Sequence, residues 1–235
     1  MSEFAYRETT VDLDTHLDHL STPYSALVKQ ALTDAGNSIS RIDTDLLGLP
    51  GMSGRRYRMF INNLVASMKD CRYLEVGTWA GSTLCSAINN NDVRAVAIDN
   101  WSQFGGPKDV FFENLQRFKT PRAYVNFIEN DFRQVDFESL GKFNVYLFDG
   151  PHEREDQYDG LYLAGPALEE CFILIVDDWN WPPVRTGTEE AIHRCGLDYK
   201  LKVEIRTTLD DTHPSIAHEH SDWHNGYLIA VLTRR

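Results

Sequence analysis

The stretch that most constrains this chain is Tyr73-Leu-Glu-Val-Gly-Thr-Trp-Ala-Gly81-Ser-Thr, where an apolar strand carrying an acid runs through a glycine turn into a helix. Eighteen residues after Gly81, a second apolar run, Val93 to Ile98, ends in another carboxylate, Asp99. Strand, turn, helix and strand make a βαβ unit, which places the chain among α/β proteins with parallel strands. An acid at the end of the second strand can accept both ribose hydroxyl protons, the usual way such proteins hold adenosine. An adenosine cofactor is the expectation.

The turn narrows the cofactor further. A dinucleotide site reads G-x-G-x-x-G and keeps side-chain charge out of the turn, because two phosphates approach the backbone N–H groups at the helix N-terminus. Here Gly77 and Gly81 are present, Trp79 takes the middle glycine's place, and Glu75 lies two residues before the first glycine. A carboxylate there repels pyrophosphate and suits a cation. S-adenosylmethionine (SAM) has no phosphate, carries a sulfonium and ends in an ammonium. On these residues the chain resembles the class I SAM-dependent methyltransferases, whose first motif is a strand-end acid followed by a glycine turn. The cofactor residues expected here are Glu75, Gly77, Thr78, Gly81, Ser82, Asp99 and Asn100. A packing turn in another α/β protein is the plain alternative, and a NAD-dependent oxidoreductase ranks lower because of Glu75 and Trp79.

Composition limits the partners. A length of 235 residues suits one domain with a modest appendage, and no apolar run approaches a membrane span. The opening Met-Ser-Glu-Phe-Ala-Tyr-Arg-Glu lacks a signal-peptide pattern, so a cytoplasmic protein with no membrane partner is expected. Cys71, Cys85, Cys171 and Cys195 are scattered singly and read as reduced core residues. A formal net charge of −12 argues against nucleic acid, whose binding depends on neutralising phosphates with Lys and Arg. A small-molecule substrate is left; the oligomeric state, including a homo-oligomer, stays open.

The order of elements predicts a doubly wound, Rossmann-like sheet. Residues 22–36 and Arg55 to Met68 read as amphipathic helices, the second with Tyr57, Phe60, Ile61, Leu64 and Val65 on one face. Strands are expected at 72–77, 93–98, 124–128, 143–148 and 171–176, and helices near 81–90, 109–118, 154–169 and 187–195. The last two strands, about 199–206 and 226–233, have no helix between them and form an antiparallel pair, as in the class I methyltransferase fold. The expectation is a seven-stranded, mostly parallel sheet, with residues 1–54 as a helical extension and 55–235 as the methyltransferase domain.

Three further strand ends carry polar groups. Asp131 and Phe132 follow the third strand, where the acid could accept from adenine's amine and the ring could cover it; a turn cap is the other reading of Asp131. Asn144-Val-Tyr-Leu-Phe-Asp149-Gly-Pro-His152 ends the fourth strand in an acid, and Phe172-Ile-Leu-Ile-Val-Asp177-Asp178-Trp179 ends the fifth in two. Three carboxylates at one sheet edge repel each other unless a cation intervenes, and short oxygen ligands suit Mg²⁺ or a similar divalent ion. Asp149, Asp177 and Asp178 are the expected metal ligands.

These motifs also resemble the small-molecule O-methyltransferases whose fourth strand reads Ile-Asp-Gly-x-His and whose fifth ends Asp-Asp-Tyr. Among them are the metal-dependent sugar O-methyltransferases of the macrocin and mycinamicin type. The resemblance covers about residues 55 to 195. It implies that Asp149, Asp177 and Asp178 bind metal and that Glu75, Gly77, Gly81 and Asp99 bind cofactor. Pro151 and Trp179 depart from the pattern, the sugar enzymes tending to carry an acid and a tyrosine there.

Methyl transfer needs a nucleophile aligned and deprotonated. His152 and Asp149 are the catalytic candidates: His152 as general base, or as the group that orients an Asp ligand. The segment 210–224 holds half of the eight histidines; a polar loop folding over the substrate is favoured over a zinc site at His218 and His220. Trp179, Trp181, Pro182 and Pro183 read as core packing or as a ring-stacking wall. The expected activity is SAM-dependent O-methylation of a hydroxyl on a sugar, polyol or natural product, with a divalent metal at the acceptor. A metal-independent O- or N-methyltransferase and a non-catalytic nucleotide-binding module are the alternatives.

Overall fold

The computed structural model describes residues 9–14, 17 and 22–235; the opening octapeptide lies outside them. Its strands are β1 (Thr10–Leu13), β2 (Cys71–Val76), β3 (Val93–Asp99), β4 (Ala123–Glu129), β5 (Phe143–Phe148), β6 (Leu168–Val176), β7 (Leu197–Arg206) and β8 (Tyr227–Arg234). The helices are α1 (Pro23–Gly36), α2 (Thr44–Leu47), α3 (Arg55–Ser67), α4 (Ser82–Ile88), α5 (Lys108–Phe118), α6 (Arg154–Ala164) and α7 (Pro182–Arg194). All strands join one sheet in the order β1-β7-β8-β6-β5-β2-β3-β4. Strands β2 to β6 run parallel, and β8 enters antiparallel between β6 and β7.

Burial on both faces explains the parallel block. Along β5, Val145 and Leu147 join one core with α1, α3, α4 and α5, while Tyr146 and Phe148 join a second with α6 and α7. A strand covered on both sides must be apolar throughout, as Phe143–Phe148 is in effect, Asn144 being spent on the backbone N–H of Arg72. The strand order reverses between β2 and β5, and ligands of doubly wound sheets bind in the crevice at such a point.

Several elements differ from expectation: α6 ends at Ala164 in place of about 169, and β6 is already under way at Leu168. An eighth strand, β1, adds to the edge by pairing Thr10–Leu13 with Arg206–Val203. Four residues are too few for a period-2 pattern to stand out. Helix α7 begins at Pro182, about five residues earlier than expected, because two prolines occupy the first helical turn, where a missing N–H costs nothing.

Ahead of α3, the breaker 48–51 is organised from below by Arg58. Its guanidinium is wholly buried and donates to the carbonyls of Leu46 at 2.9 Å and Leu49 at 2.6 Å and, through Nε, to Ser53 Oγ at 2.9 Å. Burial pulls its pKa down to about 10, so it stays charged at neutral pH and its hydrogen bonds keep full strength. This clamp carries Met52 to the rim of the crevice.

Candidate functional site

A cavity of about 630 Å³ opens at the C-terminal ends of β2, β3, β5 and β6. Its near wall is the turn after β2. Gly77 has φ +86°, and a Cβ there would collide with the Asp149 carbonyl, so the crossing of the β2 and β5 exits requires glycine. Gly81, also at +86°, caps α4, and any side chain would press on the Phe111 ring. Trp79 takes the middle position at φ +44°, fastened by its indole N–H to the Phe104 carbonyl at 3.1 Å.

Asp99 closes this turn. Its Oδ2 accepts from the backbone N–H groups of Thr78 at 2.7 Å and Trp79 at 2.8 Å, and its Oδ1 from that of Trp101 at 2.7 Å. One oxygen is saturated, so the carboxylate offers a ribose a single strong acceptor, Oδ1, where the sequence suggested two. Asp99, Gly77, Asn100, Asp131, Phe132 and Asp149 all line the cavity. Asp131 lines the cavity and also caps the short helix after β4 by accepting from the Arg133 N–H at 2.9 Å, which is the turn-cap reading of the sequence. Phe132 packs edge-on against Phe148.

Glu75, Thr78, Gly81 and Ser82 do not line the cavity. Glu75 is fully buried behind the turn, where it accepts from the hydroxyls of Tyr73 and, at 2.8 Å, Thr83. Burial pushes its pKa up to about 8, despite these hydrogen bonds. The charge-repulsion argument for Glu75 is therefore corrected: it braces the start of α4 and presents no charge to a ligand. Ser82 bonds Ser53 Oγ at 2.9 Å and joins the turn to the Arg58 clamp.

The far wall holds the acids. Asp149, His152 and Asp178 each place a ligand atom within 4.8 Å of the others. His152 Nε2 lies 2.8 Å from Asp178 Oδ2. Asp177 also lines the cavity, but its Oδ1 is taken by the N–H of Asp178 at 2.7 Å. Burial, reinforced by the other carboxylates, pushes Asp149 and Asp177 well above the usual range. Asp178 goes the other way: burial works against its charge, but the bond and charge of His152 outweigh it and lower its pKa. For His152, burial lowers the pKa and Asp178 raises it by more. An ionised Asp178 accepting from Nε2–H leaves Nδ1 of neutral His152 as the free, basic nitrogen.

Of the expected aromatic wall, Trp181 alone reaches the cavity, edge-on to His152 at 5.1 Å between centroids. Trp179 is fully buried in the core, with its indole N–H on Glu204 at 2.7 Å. The histidine-rich loop supplies His213, His218 and His224 to the lining, leaving out His220. His224 accepts at Nδ1 from the His218 N–H at 3.0 Å, and burial lowers its pKa to about 4. Nothing in the loop's spacing singled out these three, because an irregular segment has no period to read.

Residues 74–179 match a family described as a methyltransferase domain. That match covers a little under half of the chain, and together with the fold it supports a SAM-dependent methyltransferase. The chain is similar in fold to an O-methyltransferase from Bacillus cereus solved in complex with SAH (14% identity, TM-score 0.52, 94% of this chain and 96% of that one). It is also similar to TrmN from Thermus thermophilus (13% identity, TM-score 0.52, 76% of this chain), of which it spans about half, 48%. Precorrin-6y C5,15-methyltransferase from Geobacter metallireducens shares 13% identity with a TM-score of 0.50, over 75% of this chain and 88% of that one. No curated protein matches the sequence. All four cysteines are free, and among the described residues no helix is long and apolar enough to cross a membrane.

Proposed function

We propose that this methyltransferase transfers the methyl group of SAM to a hydroxyl of a small polar molecule, with His152 as the base. The observation that carries the reading is the His152–Asp178 pair at 2.8 Å in the same cavity as Asp99 and Asp131. Asp99 and Asp131 are the residues for the adenosine end. When bound, SAM supplies a carbon already activated by its sulfonium, so the protein's task is alignment and proton removal. His152 Nδ1 takes the hydroxyl proton, and Asp178, which stays ionised, stabilises the imidazolium that forms.

The donor set fits a divalent cation. Asp149 and Asp178 present carboxylate oxygens beside one another, and the raised pKa values of Asp149 and Asp177 record a repulsion that a cation would relieve. Such an ion would be held by Asp149 and Asp178 with Asp177 alongside, and it would acidify and position an acceptor hydroxyl. The formal charge of −12 supports a small acceptor over a nucleic acid, and the exposed edge of Trp181 supports one with a ring. A sugar acceptor of the macrocin and mycinamicin kind is the finer form of this reading, and residues 1–54 are proposed as an extension to a domain spanning 55–235.

Thermal unfolding with added Mg²⁺ or Mn²⁺ tests the metal. The melting temperature is expected to rise, and Asp149→Asn or Asp178→Asn to remove the rise. A wild-type protein indifferent to both ions would leave His152 as a metal-independent base, the alternative reading.

A further inference from the structure

Asp178 occupies an uneasy position. Its backbone is left-handed, at φ +58°, which non-glycine residues adopt only when their surroundings enforce it. Its side chain is almost fully buried and must point one oxygen at His152. The other oxygen is held by Asn225, whose side-chain N–H donates to Asp178 Oδ1 at 2.7 Å.

Asn225 is itself fixed on every side. It is fully buried, and its Oδ1 accepts from Asn180 Nδ2 at 3.0 Å. Asn180, equally buried, also donates to Thr207 Oγ1 at 2.8 Å, and its Oδ1 accepts from the Thr207 N–H at 3.0 Å. The Asn180 N–H closes the ring on the Asn225 carbonyl at 3.0 Å, and Thr207 Oγ1 donates to the His224 carbonyl at 2.9 Å. A buried amide bonded at both ends cannot rotate without orphaning a polar group. The network thus ties the end of β6 to the exit of β7 and the entry of β8.

We propose that Asn225 is a positioning residue: by holding Asp178 Oδ1 it leaves Oδ2 as the only oxygen for His152, and so fixes the tautomer and aim of the base. An Asn-Gly pair before a strand is ordinarily a turn, in which the Asn side chain bonds its own nearby backbone. Here the side chain is spent on Asp178. The proposal rests on the reading of His152 as the base.

The test is the ring pattern of His152 in a long-range ¹H–¹⁵N spectrum of the full chain, assigned by its loss in His152→Gln. The wild type is expected to show the Nε2–H form. Asn225→Ala, which leaves Asn180 its Thr207 partner, is expected to lose that form while SAM affinity by calorimetry stays within about threefold, as separable sites allow. Asp178→Asn is expected to lose the form alone, with Asn225→Ala adding nothing on top. A merely structural role would lower the melting temperature and leave the His152 pattern intact, and that result overturns the proposal. Should Asn225→Ala not fold, Asn225→Asp decides: it is isosteric and keeps an acceptor for Asn180, but sets a carboxylate against Asp178, so the Nε2–H form is again expected to vanish. Its persistence overturns the proposal. Failure of the wild type to bind SAM would sink the methyl-transfer reading, and the spectrum would still report on Asn225.

Discussion

Asp99, proposed to hold the cofactor's ribose, also serves the fold. From sequence it is a ribose acceptor whose removal should leave the unliganded protein nearly as stable as before. In the structure it also receives three backbone N–H groups. Asp99→Ala is therefore expected to weaken SAM binding roughly tenfold or more and to destabilise the unliganded protein by about 1.5–3 kcal/mol, since charge-assisted bonds to the turn are lost. Calorimetry and a melting curve on the same variant separate the two effects. Glu75 tests the opposite lesson, of an acid that looked functional and is structural. Its folded-state pKa of about 8 lies above its ordinary 4.5. The folded protein therefore holds a proton that the unfolded chain gives up, and stability falls as pH rises from about 4.5 through 8, by on the order of a few kcal/mol. Glu75→Gln removes the charge and keeps one acceptor oxygen, its amide N–H group donating where the other carboxylate oxygen accepted. The variant is expected to match the wild type near pH 4.5 and to exceed it above pH 8; equal melting temperatures at high pH would contradict the buried charge.

At the scale of elements, what was legible followed period and polarity. Strand β5 and the second half of β6 stood out because burial on both faces makes them apolar runs that end in acids, and the ends of β3 to β6 carried Asp99, Asp131, Asp149, Asp177 and Asp178 to one edge. Side-chain direction was not legible. Nothing in Leu74-Glu75-Val76 says that the acid turns away from the crevice toward Thr83, and Asp177 and Asp178 look alike until the left-handed turn at Asp178 separates them. Long-range partners were equally hidden: Arg58 reads as an exposed helix residue, and only the fold shows the carbonyls of 46–49 that it collects. The β2 turn itself makes a firm prediction. Gly77→Ala must take a positive φ and meet the Asp149 carbonyl, so it is expected to lose several kcal/mol of stability or fail to fold, since both backbone strain and a displaced β5 exit contribute. A variant melting within a degree or two of wild type would show that the turn can move aside.

For the whole molecule, the sheet brings Asp99, Asp131, Asp149, Asp156, Asp177 and Asp178 into one crevice, and the site depends on that concentration being answered. His152 answers Asp178 from within, the Asn180–Asn225 network fixes the pair, and the loop carrying His213, His218 and His224 closes the same cavity from the β7–β8 end. The residues proposed for cofactor and for acceptor thus adjoin in one cavity of about 630 Å³, the first group fastened by the β2 turn and the second by the end of β6 and the start of β8. The most direct test of that arrangement is a calorimetric titration of SAM into the wild-type chain and into Asp99→Ala. Saturable one-to-one binding that weakens roughly tenfold or more in the variant is the expected result, the loss of one charge-assisted bond being worth that much. No binding to the folded wild type, or equal binding to both proteins, would contradict the account.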